Sequence, residues 1–177
     1  MKTSPTPTPT VFATDFGGPI SDNTRLKKTD PRHLYYPDPH STLYRQVPII
    51  EGAYDVMKAM SRNGSVKVVC KIDFAELHFL RVRDILRING FGELLDVDKD
   101  VYFCPGFEDK APICEKLGAY SNFDDLLKVL CHMVDKVPVL GQFRPWCPSD
   151  EPYRHLVASG KIKVAHTWHE LGSLIGV

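Results

Sequence analysis

The chain is predicted to be an α/β protein, a three-layer α/β/α sandwich of Rossmann-like type around a mostly parallel central sheet. Short apolar, β-rich runs alternate with longer stretches whose apolar residues recur at helical spacing. Gly, Pro and Asn punctuate the joins between them. Several of the apolar runs end on a charged or polar residue, at the edge where open parallel sheets hold their ligands.

The first ten residues (MKTSPTPTPT) alternate Pro with Thr and lack an apolar signal core, so 1–10 is expected to be a disordered tail and 11–177 a single domain. Val11-Phe12-Ala13-Thr14 is the first predicted strand. It runs into Asp15 and is stopped by Gly17-Gly18-Pro19. Residues 21–48 carry few apolar side chains and many turn formers, Pro31, Pro37 and Pro39 among them, and a loop this long is usually functional or mobile, a surface loop tacked down by tyrosines being the plain alternative. His33, Tyr35, Tyr36, His40 and Tyr44 make it aromatic as well.

From 52 to 62, Ala53, Val56, Met57 and Met60 share one helical face, and Asn63-Gly64 closes the helix. Val66 to Cys70 is a buried strand. From Phe74 to Asn89 a long amphipathic helix is expected to turn Leu77, Leu80, Val82, Ile85, Leu86 and Ile88 inward, with Gly90 as its stop. Val101 to Cys104 is a strand and Lys110 to Leu117 a helix. Tyr120 to Phe123 is a brief strand, and Leu126 to Met133 a helix with Leu126, Leu127, Leu130 and Met133 inward. Strands at 137–143 and 162–165 and a helix from Trp168 to Ile175 complete the pattern. Prolines 145, 148 and 152, with Asp150 and Glu151, mark a segment that either approaches the sheet edge or crosses the surface.

With 177 residues the chain suffices for one domain with a real core. Lys+Arg and Asp+Glu balance at 22 each, so no global field directs it to nucleic acid or an anionic membrane. No run of about eighteen apolar residues spans a bilayer. The five cysteines (70, 104, 114, 131, 147) form no CxxC pair, which argues against zinc or a disulfide framework and for a reducing, cytoplasmic setting.

Four positions stand at or just beyond the ends of successive predicted strands: Asp15, Cys70-Lys71, Lys110 and Asp124-Asp125. Each has a plain structural alternative. Asp15 suits a turn, Asp124 and Asp125 suit the first turn of a helix, and Cys70 suits a strand interior. Lys110 opens a helix, where a cation gains nothing from the dipole.

In their order, and with the flanking Val68-Val69-Cys70-Lys71, Asn89-Gly90-Phe91 and Asp109-Lys110-Ala111-Pro112, these positions resemble the four motifs of the haloacid dehalogenase superfamily over about residues 11–130. The resemblance implies that Asp15 is a nucleophile forming an aspartyl-phosphate. It implies Mg²⁺ held by Asp15, the Gly17 carbonyl, Asp124 and Asp125, with Lys110 neutralising the nucleophile and the transferred group. Cys70, Lys71 and Gly18 would contact the substrate, a small phosphorylated or similar anionic molecule.

Two positions depart from the family pattern. Its phosphatases carry a second Asp, the general acid and base, where this chain has Gly17. They carry Ser or Thr where this chain has Cys70, whose thiol is a weak donor. Superfamily branches that cleave other bonds also lack the second Asp. Two readings follow: a magnesium-dependent, phosphatase-type hydrolase of weak or altered activity, or a catalytically silent relative serving as a ligand-binding or protein-interaction module. No large inserted domain is visible, so 21–48 is the minimal cap. The open mouth leaves room for a bulky substrate, a protein partner or a homodimer.

Overall fold

The computed structural model describes residues 9–72, 76–144 and 148–177. Six strands form one all-parallel sheet: β1 Thr10–Thr14, β2 Gly64–Lys71, β3 Val101–Cys104, β4 Ala119–Asp124, β5 Val139–Phe143 and β6 Lys163–Ala165. Their order in space is β3-β2-β1-β4-β5-β6. The chain therefore works outward from β1 in one direction, returns, and works outward in the other. The reversal lies between β1 and β4, and a crevice opens at the carboxyl ends of such a neighbouring pair.

Helices cover both faces, as a parallel sheet requires. One apolar layer packs Phe12, Val66, Val68 and Phe123 against α1 (Ala53–Asn63), α2 (Glu76–Ile88) and α6 (Trp168–Ile175). The other packs Ala13, Val69 and Leu140 against α3 (Lys110–Leu117), α4 (Leu127–Leu130) and α5 (Arg154–Ala158). No described helix is long and apolar enough to cross a membrane.

The predicted elements are found, with shifted ends. Thr10, assigned to the tail, begins β1, because it pairs with Gly64. Residues 1–8 of that tail lie outside the described residues, as do Phe74, the expected start of α2, and Trp146 and Cys147. The predicted helix 126–133 is four residues of α-helix followed by a 3₁₀ turn, Cys131–Met133. The short helix α5 and the 3₁₀ segment Pro148–Tyr153 were not anticipated.

One helical face needs correction. In α2, Arg81, Val82, Ile85 and Leu86 point inward, whereas Leu80 is 53% and Ile88 49% exposed. The reason is Arg81, whose guanidinium donates to the carbonyls of Leu34 (2.8 Å), Tyr36 (2.7 Å) and Asp38 (2.6 Å). A polar residue thus occupies a buried position because it gathers backbone acceptors from another segment.

Those acceptors belong to the 21–48 segment, which contains two 3₁₀ turns, Asp22–Arg25 and Leu43–Gln46. Its two ends meet. Asp22 N donates to Pro48 O (2.9 Å) and Ile50 N to Ile20 O (2.9 Å), with a bridge between Ser21 and Ile49. Asn23 Oδ1 accepts from Leu34 N (2.7 Å), and Tyr44 and Arg45 both bond Asp84 of α2.

Candidate active site at the carboxyl edge of the sheet

Asp15 follows β1 directly. Its N–H donates to Phe123 O at 2.8 Å, extending the β1–β4 ladder one residue beyond the strand. That bond sets Asp15 beside the end of β4, where Asp124 and Asp125 sit. The turn behind it is fixed from outside: buried Trp168 donates its indole N–H to Pro19 O at 2.7 Å. Gly18 has φ +92°, and a Cβ there would lie 2.5 Å from Asp125 Cγ, so only glycine admits the acidic doublet at this distance.

Lys110 begins α3 and reaches under both strands. Its ammonium, 1% exposed, lies 2.7 Å from Asp124 Oδ2 and 2.9 Å from Asp15 Oδ1. The approach to Asp124 is a hydrogen bond. The approach to Asp15 is short but poorly directed, and Asp15 Oδ1, although buried, has no hydrogen-bond partner among the described residues. Asp124 is fully committed, since its Oδ1 accepts from Leu126 N at 3.1 Å.

One carboxylate oxygen from each of Asp15, Asp124 and Asp125 falls within 4.8 Å of the others. Three carboxyls, Asp124 and Asp125 buried and Asp15 13% exposed, face one ammonium, so ionising all three would leave two negative charges without a counter-ion among the described residues. The consequences appear in their acidities. Burial, only partly offset by Lys110, pushes Asp15 up to about 6. Burial, with Asp124 and Asp15 alongside, drives Asp125 well above the usual carboxylate range. For Lys110, burial favours the neutral amine, but Asp124 and Asp15 outweigh it and hold the ammonium charged. An all-oxygen donor set of three carboxyls facing one ammonium suits a hard divalent cation such as Mg²⁺, which would favour their ionised forms.

Above this cluster is a cavity of about 220 Å³, lined by Asp15, Gly17, Cys70, Lys71 and Asp125 together with residues of the 21–48 segment and Phe107. Of the residues singled out from the sequence, Asp15, Gly17, Cys70, Lys71 and Asp125 line this cavity, while Lys110, Asp124 and Gly18 do not. Gly18 packs against Asp125 and not on the cavity wall. The Cys70 thiol points at Lys71 O (3.7 Å), and burial raises its pKa well above the ordinary value, so it stays a thiol. Lys71 Nζ lies 5.7 Å from the centre of the Phe107 ring.

Sequence reasoning left Asp150 and Gln142 unassigned. Asp150 is buried; its Oδ1 accepts from Leu127 N (2.9 Å) and its Oδ2 from Gln142 Nε2 (2.8 Å). The same Gln142 nitrogen lies 3.2 Å from Asp125 O. The pair ties the loop after β4 to the end of β5. A readable sign existed for Gln142, a polar residue at the end of an apolar strand, which is the pattern that marks Asp15 and Asp124. Asp150 had none, because its role depends on how the 148–153 segment folds back.

A parallel α/β sandwich with acidic groups at its switch point defines a class of ligand-binding and catalytic folds. Within that class, the architecture is that of the haloacid dehalogenase-like hydrolases. No family model matches the sequence, and no curated protein matches it at a significant level. Solved structures do match. A haloacid dehalogenase-like hydrolase of Streptococcus pneumoniae aligns with TM-score 0.64 at 9% identity, covering 94% of this chain and 98% of the other. One from Burkholderia xenovorans aligns with TM-score 0.61 at 13% identity, over 94% and 96%. The D,D-heptose 1,7-bisphosphate phosphatase of B. bronchiseptica, solved with magnesium and phosphate, gives TM-score 0.59 at 10% identity, over 94% and 97%. At these identities the likeness establishes the fold, and the resemblance drawn from the motifs holds at that level.

Proposed function

We propose that the protein is a phosphatase-type hydrolase of the haloacid dehalogenase kind, with Asp15 as nucleophile toward a small phosphorylated substrate. The observation that carries this reading is the cluster of Asp15, Lys110, Asp124 and Asp125, of which Asp15 and Asp125 line one cavity. Magnesium would be held by Asp15, the Gly17 carbonyl and the acidic doublet, with Asp125 the less committed of the two. When bound, it neutralises charge on the phosphoryl group. Asp15 attacks phosphorus, and water releases phosphate from the resulting acyl phosphate. Lys110 keeps Asp15 aligned and ionised. The 21–48 segment acts as the minimal cap, placing Leu34 and Tyr35 over the mouth. A reducing, cytoplasmic setting accords with free cysteines at 70, 104, 114 and 131.

Activity is expected to be weak, because Gly17 offers no acid or base beside the reacting phosphorus. The silent-module alternative draws on Gly17 and Cys70 alone. Calorimetry with Mg²⁺, and mass spectrometry of the protein quenched with a phosphoester, test the reading. Wild type binds the metal and gains one phosphoryl group on Asp15; Asp15→Asn gains none. Failure to bind Mg²⁺ together with no phosphoryl adduct leaves the silent module.

A further inference from the structure

We propose that this site takes phosphoryl groups from oxygens that leave as stable anions, and that its substrates are small aryl phosphates. The inference rests on the phosphoryl-transfer reading above and extends it to the leaving group.

The two glycines behind Asp15 are not equivalent. Gly18 is required by its backbone and by Asp125, as described. Gly17 is not: its φ lies outside the left-handed region, and the nearest atom to an added Cβ is Thr24 Cγ2 at an ordinary 3.4 Å. The turn therefore has room for a side chain at 17. The absence of one is a chemical property of the site, not a demand of the fold.

Among the described residues lining the cavity, the carboxyls are Asp15 and Asp125, which belong to the nucleophile and cation cluster. The remaining polar groups are a thiol, an amide, an alcohol, a phenol and an ammonium, at Cys70, Asn23, Thr24, Tyr35 and Lys71. None has an ordinary acidity near neutral pH, where a general acid works best. With Asp15 and Asp125 engaged as nucleophile and cation ligand, no described residue of the lining is placed to give a leaving oxygen its proton. An alkoxide departs poorly on those terms, since its conjugate acid is about as weak as water. A phenol, at about 10, departs far more readily.

The walls select within the anionic leaving groups. Leu34, Tyr35, Phe107 and Leu126 make the lining largely apolar, which suits a ring and not a polyol. At about 220 Å³ the cavity is below the roughly 300 Å³ of a typical small-molecule site, so it fits one ring and a phosphate. Its roof is preformed, because Arg81 holds the backbone at Leu34, Tyr36 and Asp38. Lys71, at the rim beside Phe107, places a positive charge near a departing phenolate.

The chemistry balances as follows. A carboxylate oxygen of Asp15 forms a bond to phosphorus, and the bond from phosphorus to the aryl oxygen breaks with both electrons remaining on oxygen. Water then attacks the phosphorus of the acyl phosphate. The Asp15 carboxylate is restored, dihydrogen phosphate leaves, and the phenolate takes one of its protons through solvent.

The test measures kcat/KM, which covers steps through loss of the leaving group, with Mg²⁺ and four substrates: 4-nitrophenyl phosphate, phenyl phosphate, acetyl phosphate and glycerol 2-phosphate. Wild type is expected to follow leaving-group acidity among the two aryl esters and the alkyl ester, with the alkyl ester at least about 100-fold below phenyl phosphate. Acetyl phosphate, a good leaving group without a ring, is expected to be used less well than 4-nitrophenyl phosphate. Gly17→Asp is expected to raise the alkyl ester by roughly 10²- to 10⁴-fold and 4-nitrophenyl phosphate by less than about tenfold. Equal use of alkyl and aryl esters by wild type overturns the leaving-group claim, and preference for acetyl phosphate overturns the ring. If Gly17→Asp does not fold, the wild-type series still decides both. Turnover that survives in Asp15→Asn, or wild type inert toward all four, removes the nucleophile reading itself and this inference with it.

Discussion

The floor and the roof of the cavity are both built around one buried cation, yet the two cations do opposite things. At the floor, Lys110 faces three side-chain carboxyls and is outnumbered by them. At the roof, Arg81 faces neutral backbone carbonyls, three of which accept its hydrogen bonds. A compact ammonium suits the first task, since it neutralises a cluster from one point. The forked guanidinium suits the second, since it reaches several acceptors in fixed directions. The floor is thus left with charge to spare for a ligand. At the roof the three carbonyls are satisfied, and only Arg81 Nε lacks a partner among the described residues of that contact.

The sharpest way to break this contrast is at the floor. Lys110→Met removes the one ammonium that, among the described residues, contacts this set of carboxyls, and is expected to cost about 3–5 kcal/mol of stability, the usual penalty for an orphaned buried charge. Urea unfolding measures it. Millimolar Mg²⁺ should recover more of that loss than it adds to wild type, because the cation then supplies charge that the lysine no longer does.

At the roof, Arg81→Met keeps the apolar stem but strands the carbonyls of Leu34, Tyr36 and Asp38. Each buried unmade bond costs about 1–3 kcal/mol, and partial rehydration of the loop limits the total to about 2–4 kcal/mol. Limited proteolysis should then cut within 21–48 first, while Mg²⁺ binding at the floor survives. Loss of metal binding in Arg81→Met would show that roof and floor are one unit.

The floor was far more legible in the sequence than the roof, for a physical reason. Asp15, Lys110 and Asp124 each sit at the end of a strand or the start of a helix, and parallel strands bring such ends to one edge whatever else varies. Local pattern therefore carried long-range information. In the roof, the contacts are between a helix and main-chain atoms of a loop, and backbone acceptors leave no trace in residue type. Arg81 shows where the reading failed. Its spacing from Ile85 placed it on the buried face, but a search for apolar residues alone filled that face with Leu80 and Ile88, which are exposed. Gly17 and Gly18 were indistinguishable as letters, and only their backbone angles and neighbours separate them.

Below both floor and roof in expected effect is the Asp150–Gln142 pair, which holds the acidic doublet from behind. Asp150→Ala frees Leu127 N and Gln142 Nε2 and is expected to cost about 1–2 kcal/mol, comparable with loss of a helix cap. Mg²⁺ affinity should fall several-fold, whereas Asp150→Asn, which keeps an acceptor for Leu127 N, should largely restore it. An unchanged affinity in Asp150→Ala would confine the pair to stability alone.

The smallest effect concerns pH, and it belongs to the roof. His33 is buried, and its Nδ1 accepts a hydrogen bond from Tyr35 N at 2.9 Å, a role open only to the neutral ring. Burial lowers its pKa, nearby Lys28 and His78 lower it further, and Asp30 opposes them. The unfolded chain therefore takes up a proton at a higher pH than the folded one. The stability that neutral His33 contributes is present above its unfolded value near 6.5 and is lost as pH falls below that value toward the folded pKa. Because Tyr35 lines the cavity and its ring lies 5.4 Å from that of His33, protonation should loosen the mouth before it unfolds the protein. Amide hydrogen exchange at Tyr35, compared at pH 7.5 and pH 5.5 after correction for intrinsic rates, should show protection falling at the lower pH in wild type. In His33→Asn that change should shrink, since no group at position 33 then titrates. A wild-type roof whose protection is the same at both values would mean that the ring gains no proton across this range, and that the roof is as rigid below neutrality as above it.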